Sequence, residues 1–448
     1  MTEGKLLPNI IKFTVPIILT NQMQSLFSAA DLVVVNRFGV SGSAAGGAVG
    51  ANTTLITLMV NFFIGVSVGG GVAAARALGE NNGEKVSKSV HTSMLLAVIC
   101  GAFLTLFGII GSRYFLTWMG TPKELLGLSV TYLRIYLTGV MASLIYNFGT
   151  AILRAAGDTK GPLLYITVAG VVNVILNLFF VVCLKLDVAG VALATAISNY
   201  LSAGLVVRAL MKRRDACRLY LSNLKIHGKS LAYIVKIGIP SGIQSALFNI
   251  SNVLIQSSVN SFGEAVVSGT AAGHNIEELF VKHTVVSFEH ASLNFAARNA
   301  GAKKFDRVKK SVALSCLCAF AIGAVLGPLT YSLSPYILKF YIPDAPEKIV
   351  YGVVRMAYIC RFYALLGIMD SIGFGVRGIG ASTTSMIISL LGVCAFRVVW
   401  IYTFFARYHT LECLYLSYPV SWALTFAAQL VAFVIVFRRM KRKEALNA

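Results

Sequence analysis

The chain has 448 residues, 56% of them hydrophobic and only 13% charged, with a mean hydropathy of +0.75. A soluble domain carries roughly 25% charge, so the composition excludes water as the solvent for most of this surface. The net charge of +21 would suggest nucleic acid in a soluble protein, but the positions of the charges give it another meaning.

Apolar runs of about 18 or more residues read as membrane helices. Taken in chain order they fall near 13–36, 46–76, 92–112, 125–153, 162–184, 188–211, 233–259, 267–298, 312–333, 349–377, 385–405 and 416–437. The fold class is therefore an all-α membrane protein of twelve spans with short loops. The amino end, Met1 to Lys5 followed directly by a span with polar residues, reads as no cleavable signal peptide.

Loops after even-numbered spans hold Lys85, Lys88, Lys212, Arg213, Arg214, Arg218, Lys225, Lys229, Lys303, Lys304, Arg307, Lys309 and Lys310, and the tail adds Arg438, Arg439, Lys441, Arg442 and Lys443. Loops after odd-numbered spans hold Arg37, Arg113, Lys123, Lys185, Lys339, Lys348 and Arg407, which makes 18 against 7. The positive-inside rule then places both termini in the cytoplasm of a multi-pass plasma (inner) membrane protein. The basic balance is a topology signal, and nucleic acid is not an expected partner. Eight cysteines are scattered and match no zinc spacing, with Cys316 and Cys318 one residue short of a CxxC motif. They read as small apolar fillers.

The chain also repeats itself. Ile11-Lys12-Phe13-Thr14-Val15-Pro16 resembles Val235-Lys236-Ile237-Gly238-Ile239-Pro240 at an offset of 224 residues, and Val35-Asn36-Arg37-Phe38-Gly39 resembles Val259 to Gly263 at the same offset. Ala74-Ala75-Arg76 matches Ala296-Ala297-Arg298 at 222, and Leu153 to Gly157 matches Val376 to Gly380 at 223. Four matches in order predict a six-span N-lobe over 1–211, a cytoplasmic basic linker over 212–232 and a six-span C-lobe over 233–448. Six spans per half gives two parallel repeats, the arrangement of alternating-access carriers.

Polar groups in hydrocarbon are costly and mark function or helix contacts. Asn21, Gln24, Ser28 and Asp31 share a face of the first span by 3-4-3 spacing, and Ser245, Asn249, Asn252 and Gln256 share a face of the seventh by 4-3-4. These stripes either line a substrate cavity from opposite sides or hydrogen-bond between helices for about 0.6 kcal/mol each. Asp31 has Ile255 as its repeat counterpart, so it belongs to one half only. A lone carboxylate at membrane depth can take up a proton or bind a cation, and Asn173 and Asn177 of the fifth span could orient it or complete a sodium shell. Asp370 in the tenth span has Asn147 as its counterpart. Glu278, Lys282 and Glu289 share a face of the eighth span by i, i+4 and i, i+7, as an ion pair that is structural or functional. His283 and His290, seven apart, titrate near neutrality and could relay protons. Lys282 and Arg397 are the two cations expected to lie deep, whereas Arg154 and Arg377 are expected to snorkel to headgroups. The run Gly65 to Gly71 suits close helix packing. With no Walker motif and no nucleophile–base constellation, the chain reads as no enzyme and as needing no cofactor, so transport would draw on an ion gradient.

The chain resembles the MATE (multidrug and toxic compound extrusion) family in its bacterial NorM/DinF-like branch. The resemblance rests on Pro16 through Asp31 to Val35, Phe62 to Gly69, Met119 to Pro122, Leu153 to Thr159 and its repeat, Gly238-Ile239-Pro240, and Asn294 to Gly301. It implies a V-shaped pair of six-helix lobes exporting amphipathic, often cationic compounds in exchange for H+ or Na+; nothing in the sequence requires more than a monomer. It also implies coupling by a first-span Asp with a fifth-span Asn-x-x-x-Asp. Asp31 and Asn173 match that pattern, while Asn177 stands in the second acid position. A seventh-span Glu found in other branches is absent near Phe248-Asn249, Asp370 lies roughly where a tenth-span acid is found, and the Glu289-His290 pair departs from the family pattern. The rival reading is a lipid-linked oligosaccharide flippase of the same superfamily, which would need several unpaired cations in its cavity. A channel or receptor is disfavoured by the repeat.

Overall fold

Helix is the only way to satisfy backbone hydrogen bonds inside a single apolar segment, and the computed structural model is helical almost throughout. It describes residues 1–39, 43–341 and 346–446; the side chains of residues 36, 43–45, 341 and 443–445, Asn36 and Lys443 among them, lie outside the described residues. Twelve long helical segments run in order: α1 (Leu6–Phe38), α2 (Ser43–Gly79), α3 (Gly83–Trp118), α4 (123–155), α5 (Lys160–Cys183), α6 (Asp187–Lys212), α7 (Gly228–Asn260), α8 (264–301), α9 (Phe305–Tyr341), α10 (Pro346–Gly378), α11 (Ser382–Tyr408) and α12 (Leu411–Leu446). There is no strand among the described residues.

Among the described residues nine of these are long and apolar enough to cross a membrane, and ten with α4, which bends by 43° at Gly139. The other two, α1 and α8, are the segments carrying the polar stripe and the charged cluster. Apolar side chains such as Leu106, Ile110, Val325 and Leu391 point outward, as lipid contact requires.

The helix ends repeat. At the end of α4 and of α10, Gly157 (φ 93°) and Gly380 (φ 95°) turn left-handed and each donates its N–H to the carbonyl of Arg154 or Arg377 at 2.9 Å. The next N–H, of Asp158 or Ala381, reaches back to Leu153 O at 2.9 Å or Val376 O at 3.1 Å. This is a Schellman closure, and glycine takes the left-handed φ without steric cost. Asn81 (φ 52°) and Lys303 (φ 58°) close α2 and α8 in the same way.

By contacts the chain divides into two compact units, Leu19–Gly242 and Met1–Ile18 with Ile243–Ala448. The divisions fall inside α1 and α7, 224 residues apart (18 and 242) and two residues after the equivalent prolines Pro16 and Pro240. Within the 19–242 unit, Gly65 and Gly69 of α2 press against Gly238 and Gly242 of α7, where a Cβ on Gly65 would lie 2.6 Å from Gly242 Cα. The glycine run thus packs backbone on backbone, a small-xxx-small contact on both helices. Within the other unit, Ile10, Phe13 and Ile17 of α1 join Phe288, Ala291 and Phe295 of α8 in one apolar cluster.

The linker is docked on the start of α3 rather than free. The N–H of Tyr220 donates to His91 Nε2 at 3.1 Å, the ring Nδ1 faces Ser87 O at 2.7 Å, and the N–H of His227 donates to Thr92 Oγ1 at 3.1 Å. Beside it Arg213 meets Asp215 at 2.5 Å and holds that carboxyl below the usual carboxylate range through its hydrogen bond.

Candidate functional site

In the 19–242 unit the site begins with a close approach. The ring of Phe27 of α1 packs against Gly170 of α5, so tightly that a Cβ there would sit 1.8 Å from a ring carbon. One turn further along α1 and two along α5, Asn177 Nδ2 donates to Asp31 Oδ1 at 2.5 Å and to Asn173 Oδ1 at 3.2 Å. The three expected residues are therefore one hydrogen-bonded group, with the amide orientation assigned from the network. Asn173 and Asn177 are buried, and Asn177 Oδ1 has no hydrogen-bond partner among the described residues. Thr195 of α6 also reaches Asp31, while its hydroxyl lies 2.9 Å from Val191 O. Tyr132 and Tyr136 of α4, stacked with centroids 5.9 Å apart, stand near the same carboxylate. Thr195 and the two tyrosines were not expected, because they come from α4 and α6 and carry no spacing signal.

The stripe residues are placed more loosely. On α1, Asn21 is half-buried and Gln24 and Ser28 are exposed. On α7, Asn249 Nδ2 donates to Ser245 O at 3.0 Å and Gln256 Nε2 to Asn260 Oδ1 at 3.0 Å, while Asn252 is exposed. Asn147 Nδ2 on α4 donates to Ser143 O at 2.8 Å.

The other unit holds a charged cluster. Lys282 pairs with Glu278, and His274 bridges Glu277 (Nδ1–Oε1 2.9 Å) and Glu278 (Nε2–Oε1 3.7 Å). Arg355 of α10 closes on Glu277 at 2.5 Å, with 7% and 2% of the two side chains exposed. A π turn over Glu278–Lys282 interrupts α8, adding a residue to the turn and rotating the remainder of the helix. Glu278 and Lys282 meet as their spacing predicts, while Glu289 stands beside His290 at 4.0 Å and in the field of Arg377. His283, half-buried, ends the same π turn. Asp370 on α10 faces Arg377, Lys282 and Arg397.

Two expectations about cations are corrected. Arg377 does not snorkel: it is 4% exposed, donates from Nη2 to Gln244 Oε1 at 2.6 Å and lies over the Phe374 ring at 4.2 Å. Its place near a span end misleads because Gln244 of α7 and Ser385 of α11 cover it. Lys282, expected to lie deep, keeps 37% of its side chain exposed, whereas Arg355, not expected there, is buried by its ion pair with Glu277. Arg397 is 4% exposed, donates from Nε to Ser421 Oγ at 3.2 Å and lies 4.0 Å over the Tyr418 ring.

Known proteins share both the repeat and the fold. The MatE family profile matches this chain twice, over residues 16–179 and 240–403. Both ends of the second match lie 224 residues after those of the first, the offset found between Pro16 and Pro240. A probable multidrug resistance protein of Bacillus subtilis, YoeA, is 27% identical over 440 residues, covering 95% of this chain and 94% of the relative. An FAD transporter of Shewanella oneidensis is 24% identical over 326 residues, 70% of each chain. Among solved structures, an outward-facing multidrug resistance MATE transporter of the MOP superfamily superposes with a TM-score of 0.88 at 20% identity, over 99% of this chain and 97% of that one.

Proposed function

The chain belongs to the MatE family, and from that premise we propose that it is a secondary active exporter of amphipathic organic compounds, driven by antiport with H+ or Na+ through alternating access. The observation that carries this reading is the carboxylate of Asp31 held by Asn177 among buried side chains of membrane helices. Such a group is costly at that depth unless it serves an ion pathway. Asp31, Asn173 and Asn177 are the coupling group in the 19–242 unit, with Asp370 and Glu289 a second set in the other unit. The proton is favoured over sodium because Asn177 stands where a second carboxylate would be, leaving one charge to attract a cation. Asn177 Oδ1, buried with no hydrogen-bond partner among the described residues, is a ligand sodium would use.

The polar stripes contact the substrate: Asn21, Gln24, Ser28 and Asn147 in one unit, Ser245, Asn249, Asn252 and Gln256 with Glu278, Lys282 and His283 in the other. Both termini lie in the cytoplasm and the functional form is a monomer. The named cargo of the relatives is of two kinds, multiple drugs and FAD, so charge on the cargo is a question for the site.

The test is reconstitution in liposomes with a fluorescent organic cation such as rhodamine 6G. An imposed proton or sodium gradient should drive its movement faster than in empty liposomes. If neither gradient does so, the antiporter reading fails.

A further inference from the structure

The buried cations decide what the 243–448 region can hold. Four cations (Lys282, Arg355, Arg377 and Arg397) and four carboxylates (Glu277, Glu278, Glu289 and Asp370) lie within one unit. Lys282 pairs with Glu278 and Arg355 with Glu277, and Arg377 donates to Gln244 Oε1 with two carboxylates, Glu289 and Asp370, in its field. Arg397 differs. It is 4% exposed, and its contacts are one serine hydroxyl, Ser421, and the face of Tyr418. No carboxylate lies within ion-pair distance of it among the described residues. Asp370 is the acid in its field, and that acid is shared with Lys282 and Arg377.

The helix that carries it is unusual as well. Arg397 sits in a five-residue α-helical stretch between two π turns of α11, Leu390–Ala395 and Ile401–Phe405. A π turn is kept against its poorer geometry mostly at functional positions. A guanidinium buried in a membrane helix without a close anion is expensive, and its planar fork is shaped for a carboxylate or phosphate.

Resting on the exporter reading above, we propose that Arg397 is the seat for an anionic group of the transported molecule, a carboxylate or a phosphate. Ser421 and Tyr418 hold the guanidinium in place, and Asp370 is the internal counter-charge that the ligand's anion replaces. The substrates would then include zwitterionic and anionic amphiphiles as well as simple cations.

The test uses two dyes that share one cationic xanthene frame, rhodamine B, which has a free carboxylate, and its ethyl ester. Binding of each to the full-length protein in lipid nanodiscs is measured by fluorescence polarisation. Arg397→Gln should lower the ratio of acid to ester affinity by about ten- to a hundredfold, the range of one charge-assisted hydrogen-bonded pair. Arg397→Lys should keep part of that ratio and also serves if the glutamine variant does not fold. The double variant Asp370→Asn with Arg397→Gln restores charge balance, so a purely balancing role for Arg397 predicts recovery of rhodamine B binding. The proposal predicts none. Equal losses for both dyes, an unchanged ratio, or recovery in the double variant would each overturn it. Gradient-driven movement of rhodamine 6G is read separately, so a failed exporter reading and a failed anion seat give different results.

Discussion

Asp31 owes its surroundings to two kinds of information. Asn173 and Asn177 are legible in the sequence, because polar residues four apart in an apolar span stand out. Thr195, Tyr132 and Tyr136 do not, because threonine and tyrosine are ordinary in membrane helices and only packing brings them to the carboxylate. Thr195→Val, which keeps shape and removes the hydroxyl, should leave folding intact and shift the pH dependence of transport, measured in proteoliposomes. The buried pair of Glu277 and Arg355 was invisible for a related reason: its partners lie 78 residues apart, on α8 and α10. Removing one partner of such a pair leaves an uncompensated charge, at a cost of about 3–5 kcal/mol. Arg355→Gln should therefore lower the apparent melting temperature by several degrees. Replacing both with apolar residues of similar volume should recover most of the loss.

At the scale of elements, ten helices among the described residues were legible from hydropathy and α1 and α8 from the internal repeat, while their irregularities were not. The π turn over Glu278–Lys282 in α8 and the two in α11 have no signature in the spacing of apolar residues. The glycine run in α2 was readable as a packing surface, but its partner glycines on α7 could be named only from tertiary structure. Gly170 had no signal at all, although it lets α1 approach α5 closely enough for Asp31 to meet Asn177. Gly170→Val should force the Phe27 ring aside, cost about 1–3 kcal/mol as overpacking and reduce ion-coupled transport more than expression. The linker offers a separate check by hydrogen exchange. His91→Ala removes the acceptor for the Tyr220 N–H and should speed exchange across 213–227. The Arg213–Asp215 pair lowers the folded pKa of Asp215, so its contribution is present above the unfolded value of about 3.9 and is lost as pH falls through the lower folded value. Half-exposed, it is worth about 0.2–1 kcal/mol. In the His91→Ala background, where no imidazole acceptor is left to titrate, exchange in this segment corrected for intrinsic rate should rise further only as pH falls below about 4.

At the scale of the whole molecule, one repeat organises the chain. The offset appears in sequence matches, in paired left-handed helix ends at 81 and 303 and at 157 and 380, and in two family matches with identical spacing. It appears again in the division of α1 and α7 at equivalent points. Upon this common scaffold the two units carry unlike chemistry, a single carboxylate among amides and tyrosines in one, balanced acids and bases in the other. That asymmetry was partly legible, since Asp31 has Ile255 and Asp370 has Asn147 as its repeat counterpart. The depth of Arg355 and Arg377 was not, because the helices that bury them are remote in sequence. We propose that ion coupling rests on Asp31, and the most direct measurement is gradient-driven transport of rhodamine 6G by proteoliposomes, compared for the wild type and Asp31→Asn across pH 5 to 8. With the carboxylate gone, Asp31→Asn should fall to the rate of empty liposomes and lose its dependence on the imposed gradient. Transport that keeps both its rate and its gradient dependence without the carboxylate would contradict that assignment.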